Sequence, residues 1–205
     1  MQRPIAAADA SARRLPGRPR SEAAHEAILD AAVELLREDG YDRFTIEGVA
    51  TRAGVGKTTV YRRWTSKEAL ITEAVGRIVD EIRIPDSGAI EGDLLALMRQ
   101  AVRLYRTPAN ARLMPGLVAA MARSTRVARA VRSGFLASRR RSIRELLERA
   151  VARGELRDDM DRELALDLLA GPLFYRLLVT GGPIDEKLAR GVVGVMLRAF
   201  VQQST

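Results

Sequence analysis

The chain has no cysteine and a single histidine. Disulfides and thiolate-bound metals are thereby excluded, and a reducing cytoplasm suits such a composition. A metal site or a Ser-His-Asp array would rest on His25 alone, in a stretch rich in Ala and Glu with no matching partners. His25 therefore reads as a surface side chain. No apolar run reaches the roughly 18 residues that cross a bilayer, so no membrane partner is expected. Neither β-alternation nor an internal repeat is present. A complete phosphate loop is missing too. Gly54-Val55-Gly56-Lys57-Thr58-Thr59 ends like one, but the motif needs glycine where Thr51 stands. The preceding segment, Ile46 to Ala53, has the pattern of a helix rather than the required strand. With no metal cluster, nucleophile-base pair or nucleotide loop, the chain is not expected to be an enzyme or to carry a cofactor or metal.

What remains is a chain of helix formers. Ala, Leu, Arg and Glu dominate, and aromatic residues make up 4% of 205 residues, which predicts an all-α fold. A first helix is predicted from Glu22 to Asp39, capped by Ser21 and closed by Gly40. Ile28, Ala31, Ala32, Leu35 and Leu36 form its apolar stripe. Thr45 caps a second helix, and a third ends around Arg63. Thr65 and Glu68 fit a capping box for a fourth. Its buried face is Leu70, Ile71, Ala74, Val75, Ile78, Val79 and Ile82, and Pro85 to Gly88 stops it. Five more helices follow, roughly Glu91–Arg106, Ala109–Ala122, Thr125–Arg153, Arg162–Thr180 and Asp185–Gln203. The expected organisation is a flexible basic arm (1–20), a helical DNA-binding head (21–66) and a larger helical domain (67–205).

The head is the informative part. Thr45 to Lys67 reads TIEGVATRAGVGKTTVYRRWTSK. A short helix, a Gly54-Val55 turn and a second short helix form a helix-turn-helix. The second helix is dense in groups that donate to phosphates and base edges and holds no acid, as a helix in the major groove requires. Charge alone would not reveal this. The net charge is +8, but residues 1–67 carry only +3, and residues 99–153 carry +12. The motif, not the isoelectric point, carries the argument for double-stranded DNA as a partner.

In the larger domain, the segment around Leu164 to Val179 is apolar on nearly every side and must be covered all round. One side is expected to meet the core and the other a second copy, helped by the last helix. Leu166, Leu173, Leu177, Leu188, Val192, Val195, Met196 and Ala199 are the candidate dimer contacts. Met98, Tyr105, Met114, Met121, Phe135 and Phe174 are candidates to line an effector pocket, since flexible Met and flat rings suit adaptable apolar sites; core packing explains each equally well. The Arg-rich stretch has two readings. Val127, Val131, Phe135, Ile143, Leu146, Leu147 and Val151 lie on one side of a helix whose other side is basic and solvated. Alternatively Arg99, Arg103 or Arg112 enters a pocket and pairs with an anionic effector.

Taken together, the Gly40-Tyr41 exit, Thr45, Val49-Ala50-x-x-Ala53-Gly54-Val55, Val60-Tyr61, Trp64 and Lys67-x-x-Leu70 resemble the TetR/AcrR family of bacterial regulators. This likeness is specific over about residues 21 to 72 and architectural beyond. It implies phosphate contacts from Thr45, Tyr61 and Lys67, two of which stand at helix N-termini that favour anions. It implies that Lys57, Thr58, Thr59 and Arg62 face the groove. Thr58 stands where many members have glycine. Arg63 stands where an aromatic or histidine is common, which suits a phosphate contact. Trp64 is expected to pack the third helix on the first. Pro16-Gly17-Arg18-Pro19-Arg20 resembles an AT-hook core, so Arg18 and Arg20 are either a minor-groove arm or part of a charged tail. The implied function is a homodimeric, ligand-responsive repressor on a palindromic operator. The alternative is a DNA-binding regulator with no small-molecule effector, controlled by a protein partner.

Overall fold

The computed structural model describes residues 19–201. Ten α-helices run, among the described residues, in the order α1 (Pro19–Arg43), α2 (Ile46–Arg52), α3 (Lys57–Tyr61), α4 (Lys67–Val79), α5 (Ile90–Arg106), α6 (Pro108–Arg123), α7 (Thr125–Val131), α8 (Ala137–Ala152), α9 (Arg162–Tyr175) and α10 (Glu186–Phe200). Among the described residues there is no strand, only an isolated antiparallel bridge between Leu156 and Val201. The fold is all-α, with a three-helix head and a larger helical domain.

Helix α1 starts at Pro19, earlier than Ser21 would have capped it; proline suits a first helical position because its missing N–H has no helical partner anyway. Its axis breaks at Gly40, whose φ of 75° is open to glycine at little cost, and Tyr41 to Arg43 lie beyond the kink. The stripe from Ile28 to Leu36 is buried as the periodicity requires. Thr45 caps α2, its hydroxyl accepting from the Gly48 N–H at 3.0 Å. The cap of α4 is Ser66 rather than Thr65, accepting from the Ala69 N–H at 3.2 Å. The N–H groups of Arg63 and Trp64 still bond the Val60 carbonyl, so the chain stays tied to α3 through Trp64. Ser66 is then the residue with the extended backbone a cap needs.

Two longer helices of the sequence pattern are modified. The segment from Thr125 to Arg153 is not one helix: a wide π-helical turn over Arg132–Leu136 separates α7 from α8, with Gly134 outside helical geometry. A Cβ on Gly134 would lie 2.5 Å from Thr72 Cγ2, so the turn opens where α4 presses against it. A second π-helical turn, Arg176–Thr180, extends α9 and ends in a left-handed Gly181. Helix α4 packs against both α1 and the first π turn, and α6 also packs on α1. The head and the larger domain thus share α4 as a common wall. Asp93, almost fully buried, holds the loop before α5 by accepting from the Ser87 N–H at 2.9 Å.

Candidate nucleic-acid interface and inner cavity

The head is held from beneath by Phe44, Val49, Val60 and Trp64, all buried. Trp64 packs as its position suggested. Its ring stacks on His25 of α1 at 4.9 Å between centroids, and its indole N–H donates to Glu73 Oε2 of α4 at 2.6 Å. His25 is accordingly half-buried, with Nε2 3.2 Å from Glu73 Oε1, rather than a free surface group. One aromatic side chain therefore joins α1, the end of α3 and α4 into a rigid unit. Gly54 (φ 65°) makes the turn between α2 and α3.

With the underside fixed, Lys57, Thr58, Tyr61 and Arg62 are exposed and Thr59 half-exposed. Tyr61 keeps 52% of its surface, unusual for so large an aromatic group and suited to a partner that covers it. Thr45 is exposed at the N-terminus of α2, Lys67 begins α4, and Arg63 is half-buried. The Lys67 ammonium lies 5.5 Å from the centre of the Tyr41 ring and 5.8 Å from that of Phe44, which holds the cation at the surface of the head. Lys57 Nζ pairs with Glu47 Oε1 at 2.5 Å, and that hydrogen bond holds the Glu47 carboxyl below the usual carboxylate range. A phosphate would have to displace Glu47 to use Lys57. Of the arm residues, Arg18 lies outside the described residues, and Arg20 stands in the first turn of α1.

Inside the larger domain lies an apolar cavity of about 130 Å³. The ends of α4, α5, α8 and α9 and the first π turn wall it. Met98, Tyr105, Phe135 and Phe174 line it; Met114 packs into the core instead, and Met121 faces an outer groove beside Arg129 and Arg132. Tyr105 meets Phe174 edge to face at 5.4 Å. Burial pushes the Tyr105 phenol up to about 12. The arginines expected at a pocket are elsewhere. Arg99 forks onto Glu186 of α10, and Arg103 and Arg112 are exposed. Arg139 and Arg140 line the cavity. Arg140 is paired with Glu163 and Asp167 at 2.6 and 2.7 Å. Arg139 donates to the Ile82 carbonyl, and burial pulls its guanidinium below its ordinary value. It has no carboxylate partner within ion-pair distance among the described residues. Its position carried a signal: the stripe steps from Phe135 to Ile143, and the place between them is Arg139.

The candidate dimer residues divide. Leu166, Leu173, Leu188, Val192 and Met196 are buried within the subunit, and Leu177 is half-buried; Val195 and Ala199 are exposed. Exposed apolar surface continues on α9 and its π turn at Leu164, Tyr175, Leu178 and Val179.

A helix-turn-helix with an exposed, acid-free third helix, mounted on a larger helical domain, is the build of a DNA-binding regulator. Residues 28–74 match the family model "Bacterial regulatory proteins, tetR family", and residues 84–196 match "Tetracyclin repressor-like, C-terminal domain". The uncharacterized HTH-type transcriptional regulator YdeS of Bacillus subtilis (strain 168) is 36% identical over 178 residues, 86% of this chain and 89% of its own. The DNA-binding transcriptional repressor TetR of Mycobacteroides abscessus is 35% identical over 191 residues, covering 89% and 96%. The crystal structure of the TetR family transcription regulator SCO0332 superposes with a TM-score of 0.78 at 32% identity, covering 85% and 97%. The chain belongs to the TetR family of transcriptional regulators. No helix among the described residues is long and apolar enough to cross a membrane.

Proposed function

We propose that the protein is a cytoplasmic homodimeric repressor that leaves its operator when a small molecule occupies the inner cavity. The observation that carries this reading is the course of α4. Its first residue, Lys67, stands at the DNA face, and Val79 near its other end lines the cavity. At 1.5 Å per residue the helix links the two over about 20 Å. An occupant that prefers one position of the cavity wall biases the spacing of the two heads by its differential affinity, and by no more.

In the DNA-bound dimer, α3 of each subunit enters the major groove. Lys57, Thr58, Thr59 and Arg62 meet base edges, and Thr45, Tyr61, Arg63 and Lys67 meet phosphates. Arg18, outside the described residues, extends the contact toward the adjacent minor groove, whereas Arg20 lies in the first turn of α1 rather than in an extended AT-hook. The exposed apolar residues Leu164 and Tyr175 of α9, Leu178 of the second π turn, and Val195 and Ala199 of α10 supply the two-fold interface, since apolar surface left open on the two last helices favours a second copy. The operator is a near-palindrome with half-sites about 34 Å apart or a multiple of that.

The test is selection of bound sequences from a random duplex pool at moderate salt, followed by mobility shift with a metabolite library. A palindromic consensus, released by at least one compound, is the expected result. Unselective binding that fades steeply with salt would overturn the regulator reading. A palindrome that no compound releases or stabilises would instead favour control by a protein partner.

A further inference from the structure

The cavity is apolar except at Tyr105, Arg139 and Arg140. Arg139 occupies the step of the α8 stripe where helical spacing calls for an apolar residue, between Phe135 and Ile143. A guanidinium has five N–H donors, and that of Arg139 makes one hydrogen bond among the described residues, to the Ile82 carbonyl. Burial pulls the guanidinium below its ordinary value, and Tyr105 and Asp80 offset this only in part, without an ion pair. Across the same cavity, Tyr105 is 7% exposed, and its hydroxyl makes no hydrogen bond among the described residues. Arg139 is half-buried, and both groups keep N–H or O–H donors that can bond an acceptor entering the cavity.

Building on the reading of the cavity as an effector site, we propose that the effector is a monocarboxylate with a compact apolar body, its carboxylate held by Arg139 and Tyr105. The planar fork of Arg139 matches two carboxylate oxygens, and the Tyr105 hydroxyl, kept protonated by its burial, adds a third donor. A doubly charged phosphate is disfavoured, because the second cation at the wall, Arg140, is already committed to Glu163 and Asp167. The volume sets the body. A cavity of about 130 Å³ is close to the ~150 Å³ hydrocarbon-lined space that takes up benzene in an engineered protein, which points to one ring or about six to eight carbons.

The test uses the full chain, with its selected operator, against benzoate, phenylacetate and hexanoate. The matched amides, which keep shape and lose charge, are the controls. The acids are expected to raise the melting temperature and release the operator, with the amides at least about tenfold weaker. Arg139→Gln is expected to weaken acid binding about 10- to 100-fold while leaving amide binding as it was, and Tyr105→Phe to weaken it several-fold. Circular dichroism reports whether each variant is folded. If Arg139→Gln is not, Arg139→Lys keeps the charge without the fork and should retain a weakened preference for acids. Equal binding of acids and amides by the wild type, an undiminished acid preference in Arg139→Gln, or no response to any of the acids at millimolar concentration would each overturn the proposal. A neutral apolar compound that releases the operator would do so while leaving the effector-controlled reading intact. Failure to bind any operator would sink that reading itself.

Discussion

Gly134 offers a sharp test of how the two domains are joined. An alanine Cβ there would lie 2.5 Å from Thr72 Cγ2, whereas carbons in contact sit about 3.5–4.0 Å apart. One group must retreat by about 1 Å. Thr72 cannot simply rotate, because a β-branched side chain has few rotamers in a helix and its hydroxyl already donates to the Glu68 carbonyl at 2.7 Å. Separation of α4 from the π turn is the remaining route. Gly134→Ala is therefore expected to cost about 1–3 kcal/mol, the range for overpacking, against the gain of about 0.5–1 kcal/mol that the same change brings in an unconstrained helix. For a chain of this length that is a fall of about 2–12 °C in melting temperature. Thr72→Ser removes Cγ2 and keeps the hydroxyl. In that background the penalty should shrink by about 1–2 kcal/mol, measured as the coupling in a double-mutant cycle of urea unfolding at fixed protein concentration. A stabilised Gly134→Ala, or a coupling of zero, would refute the contact.

Other expectations follow from the same geometry. Tyr61→Ala or Lys67→Ala should weaken binding to all duplexes alike, with the salt slope falling by about one for Lys67, whereas Thr59→Ala should change the selected consensus; equal loss on specific and random DNA would remove Thr59 from the base-reading set. Tyr105 has a folded-state value of about 12 against an ordinary 10, so its proton is held more tightly in the native state. Its contribution to stability is complete below pH 10 and is lost as pH rises toward 12, a decline that Tyr105→Phe should lessen in unfolding curves taken across that window. Tyr175→Asp and Val195→Asp place charge on the exposed α9 and α10 surface. Sedimentation should find these variants monomeric and unable to hold a two-half-site operator, and an undisturbed dimer would move the interface elsewhere.

Much of this was legible in the residues because helical periodicity reports which face is buried. The stripes of α1 and α4 are of that kind, as is the helix-turn-helix, where Thr45, Gly54 and Trp64 each have one local job. Periodicity does not report what does the burying. Leu166 and Leu173 sit on a helix apolar all round, and only tertiary packing shows that their side faces the subunit's own core. The same blindness hid the π turn. An extra residue inserted at Gly134 leaves good helical patterns on both sides, and the cause lies 62 residues away at Thr72. Arg139 is visible in the sequence as a charge out of step with its stripe, whereas nothing in the periodicity of α5 and α6 shows that Arg99, Arg103 and Arg112 lie away from the cavity. The Ser66 cap shifted by one because backbone bonds to Val60, which no side chain announces, decide where α3 lets go.

The pair of glycines between α4 and the π turn has a further consequence. A Cβ on Gly76 would stand 3.1 Å from that of Phe135, so at Gly76 as at Gly134 one element presents bare backbone to a side chain of the other. Side chains between helices absorb small displacements by changing rotamer, and here there is little to absorb them. Phe135 is also part of the cavity wall. Phe135 is thus shared between the cavity wall and the glycine contact, while the rest of the lining is separate from that contact. Leu97, Ile143 or Arg139 can be exchanged to suit another molecule while the glycine contact stays as it is. If the cavity takes an effector as proposed, a change of lining would alter which molecule it takes while leaving untouched the contact that carries the movement.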